Sequence, residues 1–125
     1  MVSDFDFPQV NRSVMIIYMK QPYVDWTNSL SDRAESEKEN PYTLESINDD
    51  PAAYLIPEIL DYMDLESFIE HSWVILFELQ LSGWSTDESL WPKKRTLKMF
   101  KEWFDLRFSS LAIDLWGKEP LSYQD

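Results

Sequence analysis

Hydrophobic and polar positions divide this chain into short segments with two different periods. "RSVMIIYMKQ" (Arg12 to Gln21) has apolar side chains on both alternating faces, the pattern of a central strand covered on each side. Pro22 then stands where a first helical turn tolerates proline. Tyr23, Trp26, Thr27 and Leu30 follow at helical spacing. "SDRAESEKENPYT" (residues 31–43) is charged, mixed in sign and aperiodic, and is expected to be a flexible surface loop. "TLESIND" predicts one or two helical turns capped by Thr43, with Leu44 and Ile47 inward. "PAAYLIPE" predicts a short strand, partly at an edge, because Pro51 and Pro57 bracket it and cannot donate to a ladder.

Asp64 is the expected cap of the longest helix, from Leu65 to about Leu81. Its apolar stripe (Leu65, Phe68, Ile69, Trp73, Leu76, Phe77, Leu79) is widened by Val74 and Ile75. Such a helix packs in the core, the reading that takes precedence, or hides one face against another molecule, for which Trp73 and Phe77 are the candidate dimer face. Gly83 is the expected stop. Ser85 and Glu88 stand at capping-box spacing, so "STDESLW" predicts a single turn closed by Pro92. Thr96 caps a further helix with Leu97, Phe100, Trp103 and Phe104 on one face. In "FSSLAIDLW", Leu111, Ile113 and Leu115 alternate with Ser110, Ala112 and Asp114, which predicts a half-buried last strand. The tail over residues 117–125 is polar and expected to fray.

The resulting order is β-α-(α)-β-α-α-β in one domain spanning residues 1–125. An α+β or small α/β fold follows: a mixed sheet of about three strands, with two long and one or two short helices. The helical crossover between the first two strands predicts that they run parallel.

Composition narrows the chemistry. The chain has six tryptophans, seven phenylalanines and six tyrosines among 125 residues, ample apolar surface for a packed core. There is no cysteine, so disulfides, thiolate chemistry and cysteine zinc sites are excluded, and a reducing cytoplasm fits. The N-terminus lacks the basic start and apolar run of a secretory signal. The longest apolar stretch, Val14 to Met19, falls far short of a membrane span, so no membrane partner is expected. A net charge of −12 opposes nucleic-acid phosphates and favours a basic partner.

His71 is the single histidine and lies inside the long helix without a placed nucleophile. It is taken as structural. Two glycines, Gly83 and Gly117, cannot build a glycine-rich phosphate cradle. "NDD" (Asn48 to Asp50) and "DYMD" (Asp61 to Asp64) lack the ligand spacing of a calcium loop, and a turn and a helix cap account for them. No catalytic residue, metal site or cofactor is assigned, and enzymatic activity is not the expectation.

The strongest local anomaly is "GWSTDESLWPKKRTLKMFKEWFD" (Gly83 to Asp105). Lys93, Lys94, Arg95, Lys98 and Lys101 are five of the eleven basic residues, and three of them crowd the positive end of a helix dipole. Either the chain's own acids, such as Asp87, Glu88 or those of the 31–43 loop, neutralise them, or an anion or partner sits there. Self-neutralisation takes precedence, because exposed ion pairs are common. Trp84 and Trp91 flank the turn as plugs, or as walls of a groove beside Lys93, Lys94 and Arg95, the candidate anion or partner contact.

This segment, "KQPYVDW" (Lys20 to Trp26) and "YLIPE" (Tyr54 to Glu58) together resemble a group of small, acidic, uncharacterised bacterial proteins, over most of the chain. The resemblance transfers no activity and no site residue. It implies a stand-alone cytoplasmic bacterial domain. Two functions are carried forward. One is a non-enzymatic protein-interaction module, immunity- or antitoxin-like, as a monomer or homodimer. The other is a domain or enzyme taking an anionic metabolite near Trp84, Trp91 and Lys93 to Arg95.

Overall fold

The computed structural model describes residues 7–30 and 39–124. Within them the elements are β1 (Ser13–Met19), α1 (Gln21–Ser29), α2 (Leu44–Ile47), β2 (Ala53–Ile56), α3 (Tyr62–Ser82), α4 (Leu97–Trp103) and β3 (Phe104–Ser109). A short 3-10 turn, Glu88–Leu90, lies between α3 and α4. The order matches the sequence pattern, and the fold is a single compact α+β domain.

The caps show why these residues fold locally as they do. Thr43 accepts the Ser46 N–H while the Ser46 hydroxyl accepts the Thr43 N–H, a reciprocal box that closes the four-residue α2. Thr96 accepts the Met99 N–H and opens α4. α3 begins a turn earlier than expected: Asp61, not Asp64, is its cap, its carboxylate accepting the Asp64 N–H at 2.9 Å. Gly83 does end α3, but in the right-handed helical region, where a Cβ would meet nothing closer than Gln80 O at 3.5 Å. Its permissiveness is therefore not what stops the helix.

The sheet has the order β2-β1-β3, so β1 is central as expected. It is antiparallel throughout, not mixed: Ser13 lies opposite Ile56 and Ile16 opposite Ala53. The expected parallel pairing fails because α2 returns the chain to the wrong end of β1 for it. Asn48 accepts the Met19 N–H at 2.7 Å and donates to Met19 O at 3.0 Å. The chain thus leaves α2 beside the C-terminal end of β1 and can only run back along it.

The third strand is also displaced. Phe104 to Ser109 pairs with β1, from Met19↔Phe104 to Val14↔Ser109. The expected strand around Leu111, Ile113 and Leu115 is reduced to one bridge, Gln9↔Ile113, and these three side chains are exposed. The alternation there is real, but β1 is already occupied on that side by "FDLRFS", whose own period of two was hidden by the helical stripe that ends at Phe104.

Met15, Ile17, Ile56 and Phe104 face the helices and form one core with Tyr23, Leu65, Ile69, Leu76, Phe77, Leu81, Trp91 and Phe100. Val14, Ile16 and Tyr18, on the other face of β1, stay half-buried, so the strand is not doubly covered as its all-apolar pattern suggested. Ser13, fully buried, ties the lower end of the sheet: its hydroxyl accepts the Ile59 N–H at 2.8 Å and donates to Ser110 O at 3.2 Å.

Candidate functional site

The segment after α3 is built as a plug. Trp84 and Ser85 both donate their N–H groups to Leu81 O, continuing the helix end. The Ser85 hydroxyl accepts the Asp87 N–H, and Asp87 caps the 3-10 turn through the N–H and hydroxyl of Ser89. Two indoles fasten this turn to the body: Trp91 Nε1 donates to Ser85 O at 2.8 Å, and Trp26 Nε1 donates to Leu90 O at 3.0 Å. Trp91 is buried as part of the core, whereas Trp84 is half-buried and stands edge-on to Tyr42 at 4.7 Å. The two flanking tryptophans thus face different neighbours, and no ring contact joins them among the described residues.

The basic cluster is largely internally engaged. Arg95 lies over the Trp91 ring at 5.6 Å, donates to Pro92 O at 2.7 Å and pairs with Glu78 of α3 at 3.5 Å. Lys93 donates to Ser89 O at 2.9 Å. The Asp87 carboxylate is held below the usual range by its hydrogen bonds from the Ser89 hydroxyl and N–H, with a smaller contribution from the Lys93 charge. Lys94 is exposed and forms no ion pair among the described residues.

Further along α4, Lys101 pairs with Glu66 at 2.9 Å, and Lys20 donates to Lys101 O at 3.0 Å. Lys20, Leu97, Lys98, Lys101 and Glu102 line an open depression of about 630 Å³. Glu78, Glu66 and Lys20 were invisible to the sequence reading because they come from α3 and the β1–α1 junction, far along the chain.

The two residues of the candidate dimer face lie on the core side of α3. Phe77 is 0% exposed, packed against Phe100, Trp103 and Phe104, and Trp73 is half-buried against the same core. Three ring-bearing neighbours from α4 and its junction with β3 close over that side of α3. Its apolar residues in solvent are instead Val74, Ile75 and Leu79. Leu60, just before that helix, and Met63, in its first turn, are 84% and 82% exposed.

His71 is exposed, its Nδ1 at 2.7 Å from Ser67 O. No group of three or more metal-ligating side chains is gathered among the described residues, and no described helix is long and apolar enough to cross a membrane. Charge is strongly polarised along the chain: residues 39–92 hold twelve acidic side chains and no lysine or arginine, which accounts for the whole formal charge of −12. Those residues include β2 and α3, while five of the eleven basic residues follow between Lys93 and Lys101, just before and along α4.

No protein-family model, curated protein or solved structure matches this chain.

Proposed function

We propose that the chain is a non-enzymatic, cytoplasmic bacterial interaction module that binds and neutralises or regulates a basic protein partner, in the manner of an immunity protein or antitoxin. The observation that carries the reading is that large exposed apolar side chains fall in the acidic part of the chain. Leu60, Met63 and Ile75, exposed at 84%, 82% and 62%, lie within the stretch that bears all of the net negative charge. Exposed large apolar groups in an acidic surround suit a partner that presents apolar anchors ringed by lysine and arginine.

The second reading, an anionic metabolite beside Trp84, Trp91 and Lys93 to Arg95, has less support. The indole N–H of Trp91 and the guanidinium of Arg95 already have partners within the turn. The test is affinity capture from a native lysate at low and high salt. One specific partner should be retained at low salt, be lost at high salt, and fail to bind a Leu60→Ser/Met63→Ser variant. Recovery of no specific partner under either condition would overturn the proposal. A rise in melting temperature with phosphates, nucleotides or carboxylates, abolished by Lys94→Glu, would favour the metabolite reading instead.

A further inference from the structure

Among the described residues the sheet ends in two edge strands, β2 and β3, and they are not equivalent. β2 has four residues, lies between Pro51 and Pro57, and has Asp49, Asp50 and Glu58 close by in the chain. Short length, proline and like charge are the devices by which edges resist pairing with another chain. β3 has none of these protections. It is six residues long, contains no proline, and carries one acid and one base, Asp105 and Arg107.

The phase of the β1–β3 ladder determines what the edge offers. Lys20 donates its N–H to Trp103 O at 2.8 Å, one step beyond the last registered pair, Met19↔Phe104. Hydrogen-bonded pairs alternate with non-bonded ones in an antiparallel ladder, so Tyr18↔Asp105, Ile16↔Arg107 and Val14↔Ser109 are the bonded pairs. The N–H and C=O groups of Leu106 and Phe108 therefore point away from β1, to the side where no described strand lies. Phe104 offers only its carbonyl there, because its N–H closes α4 on Phe100 O.

We propose that a second copy of this chain pairs with β3 along this edge, antiparallel and with Leu106 opposite Leu106, giving a continuous six-stranded sheet. The backbone phase allows the two-fold axis to fall on a whole residue only. An axis on Asp105 or Arg107 sets like charges directly opposite, whereas an axis on Leu106 sets each Asp105 opposite the second copy's Arg107. In that register four backbone hydrogen bonds form: two between the Leu106 residues, and one from each Phe108 N–H to the other copy's Phe104 carbonyl. Opposite-charge pairs occupy the outer face, where Arg107 already lies over Tyr18 at 4.8 Å and pairs with Asp105 at 3.2 Å. On the helix side, Phe108 stands opposite Phe104 of the other copy, whose ring stays in its own core. Tyr62, which packs edge-on against Phe108 at 5.4 Å while 75% exposed, becomes covered.

Sedimentation velocity on the full chain over a concentration series tests this, with Asp105→Arg and Arg107→Asp as separate variants checked for folding by circular dichroism. The native chain should dimerise, and each single variant should dimerise about tenfold or more weakly, since two opposite pairs become two like pairs. Mixing the two single variants should restore dimer, because one then carries two bases and the other two acids. The double variant Asp105→Arg/Arg107→Asp should also recover, and it carries the test if either single variant misfolds. A chain that stays monomeric up to about 0.5 mM overturns the proposal, set against the mM–μM range of weak specific association. So does a dimer indifferent to the charge reversals but lost in Ile75→Asp, which would place the contact on α3.

Discussion

Phe77→Ala separates a core residue from a surface one. Phe77 is fully buried, with ring centroids of Phe104, Trp103 and Phe100 at 5.3, 5.5 and 5.8 Å. Truncating a buried phenylalanine removes its transfer free energy and leaves a cavity, together about 3–5 kcal/mol. The neighbours here belong to α4 and the first residue of β3, and Phe104 is held by its ladder with β1, so the site can collapse only partly. The upper half of that range is expected. Alanine's better helix propensity returns at most about 0.5 kcal/mol. Total stability for a domain of this size is about 5–15 kcal/mol, so about a quarter of it or more is lost. With an unfolding entropy of about 2.1 cal/mol/K per residue, the melting temperature should fall by about 13–19 °C. Urea unfolding followed by tryptophan fluorescence, with an unchanged slope, gives the free energy, and calorimetry gives the temperature. A loss below about 1 kcal/mol accompanied by a change in sedimentation would refute the core placement and return Phe77 to a dimer face.

Asn48→Ala removes the clamp that holds the end of α2 to Met19. It should cost about 1–3 kcal/mol in urea unfolding, because the Met19 N–H and C=O lose a partner together. Tyr23→Phe leaves the buried Gln80 carbonyl without its 2.6 Å donor, for a similar loss. It should also change the alkaline limb of stability. Burial first, and Tyr54 second, raise the Tyr23 pKa above the ordinary value of about 10. The neutral hydroxyl is thus favoured by folding, and its contribution is complete below pH ~10 and lost as pH rises toward the raised folded value. The unfolding midpoint of the native chain should therefore fall more steeply above pH ~10 than that of Tyr23→Phe; parallel curves would contradict this. Gly83→Ala should be neutral or stabilise by up to about 1 kcal/mol, since Gly83 is right-handed and a Cβ there has space; a clear destabilisation would show that the helix end depends on glycine.

Local sequence determined most of the elements. Thr43, Thr96 and Pro22 stand at α2, α4 and α1 as their chemistry requires, and Pro51 and Pro57 bracket an edge strand. Each of these depends on interactions within about four residues, which a linear pattern records directly. The tertiary structure decided the direction of β2, the position of β3, the side of α3 that is buried, and the fate of the basic cluster. The direction of β2 rests on Asn48 reaching Met19, 29 residues away, and the closure of the sheet rests on Ser13 reaching Ser110, 97 residues away. The cluster that looked unexplained meets Glu78 and Glu66 only once α3 lies beside α4. Charge placement along a helix is a local property, whereas its neutralisation depends on which other element packs alongside. Within "KKR" the fold gives Arg95 an ion pair with Glu78, whereas Lys93, which donates to Ser89 O, and Lys94 both stay exposed without an ion pair among the described residues.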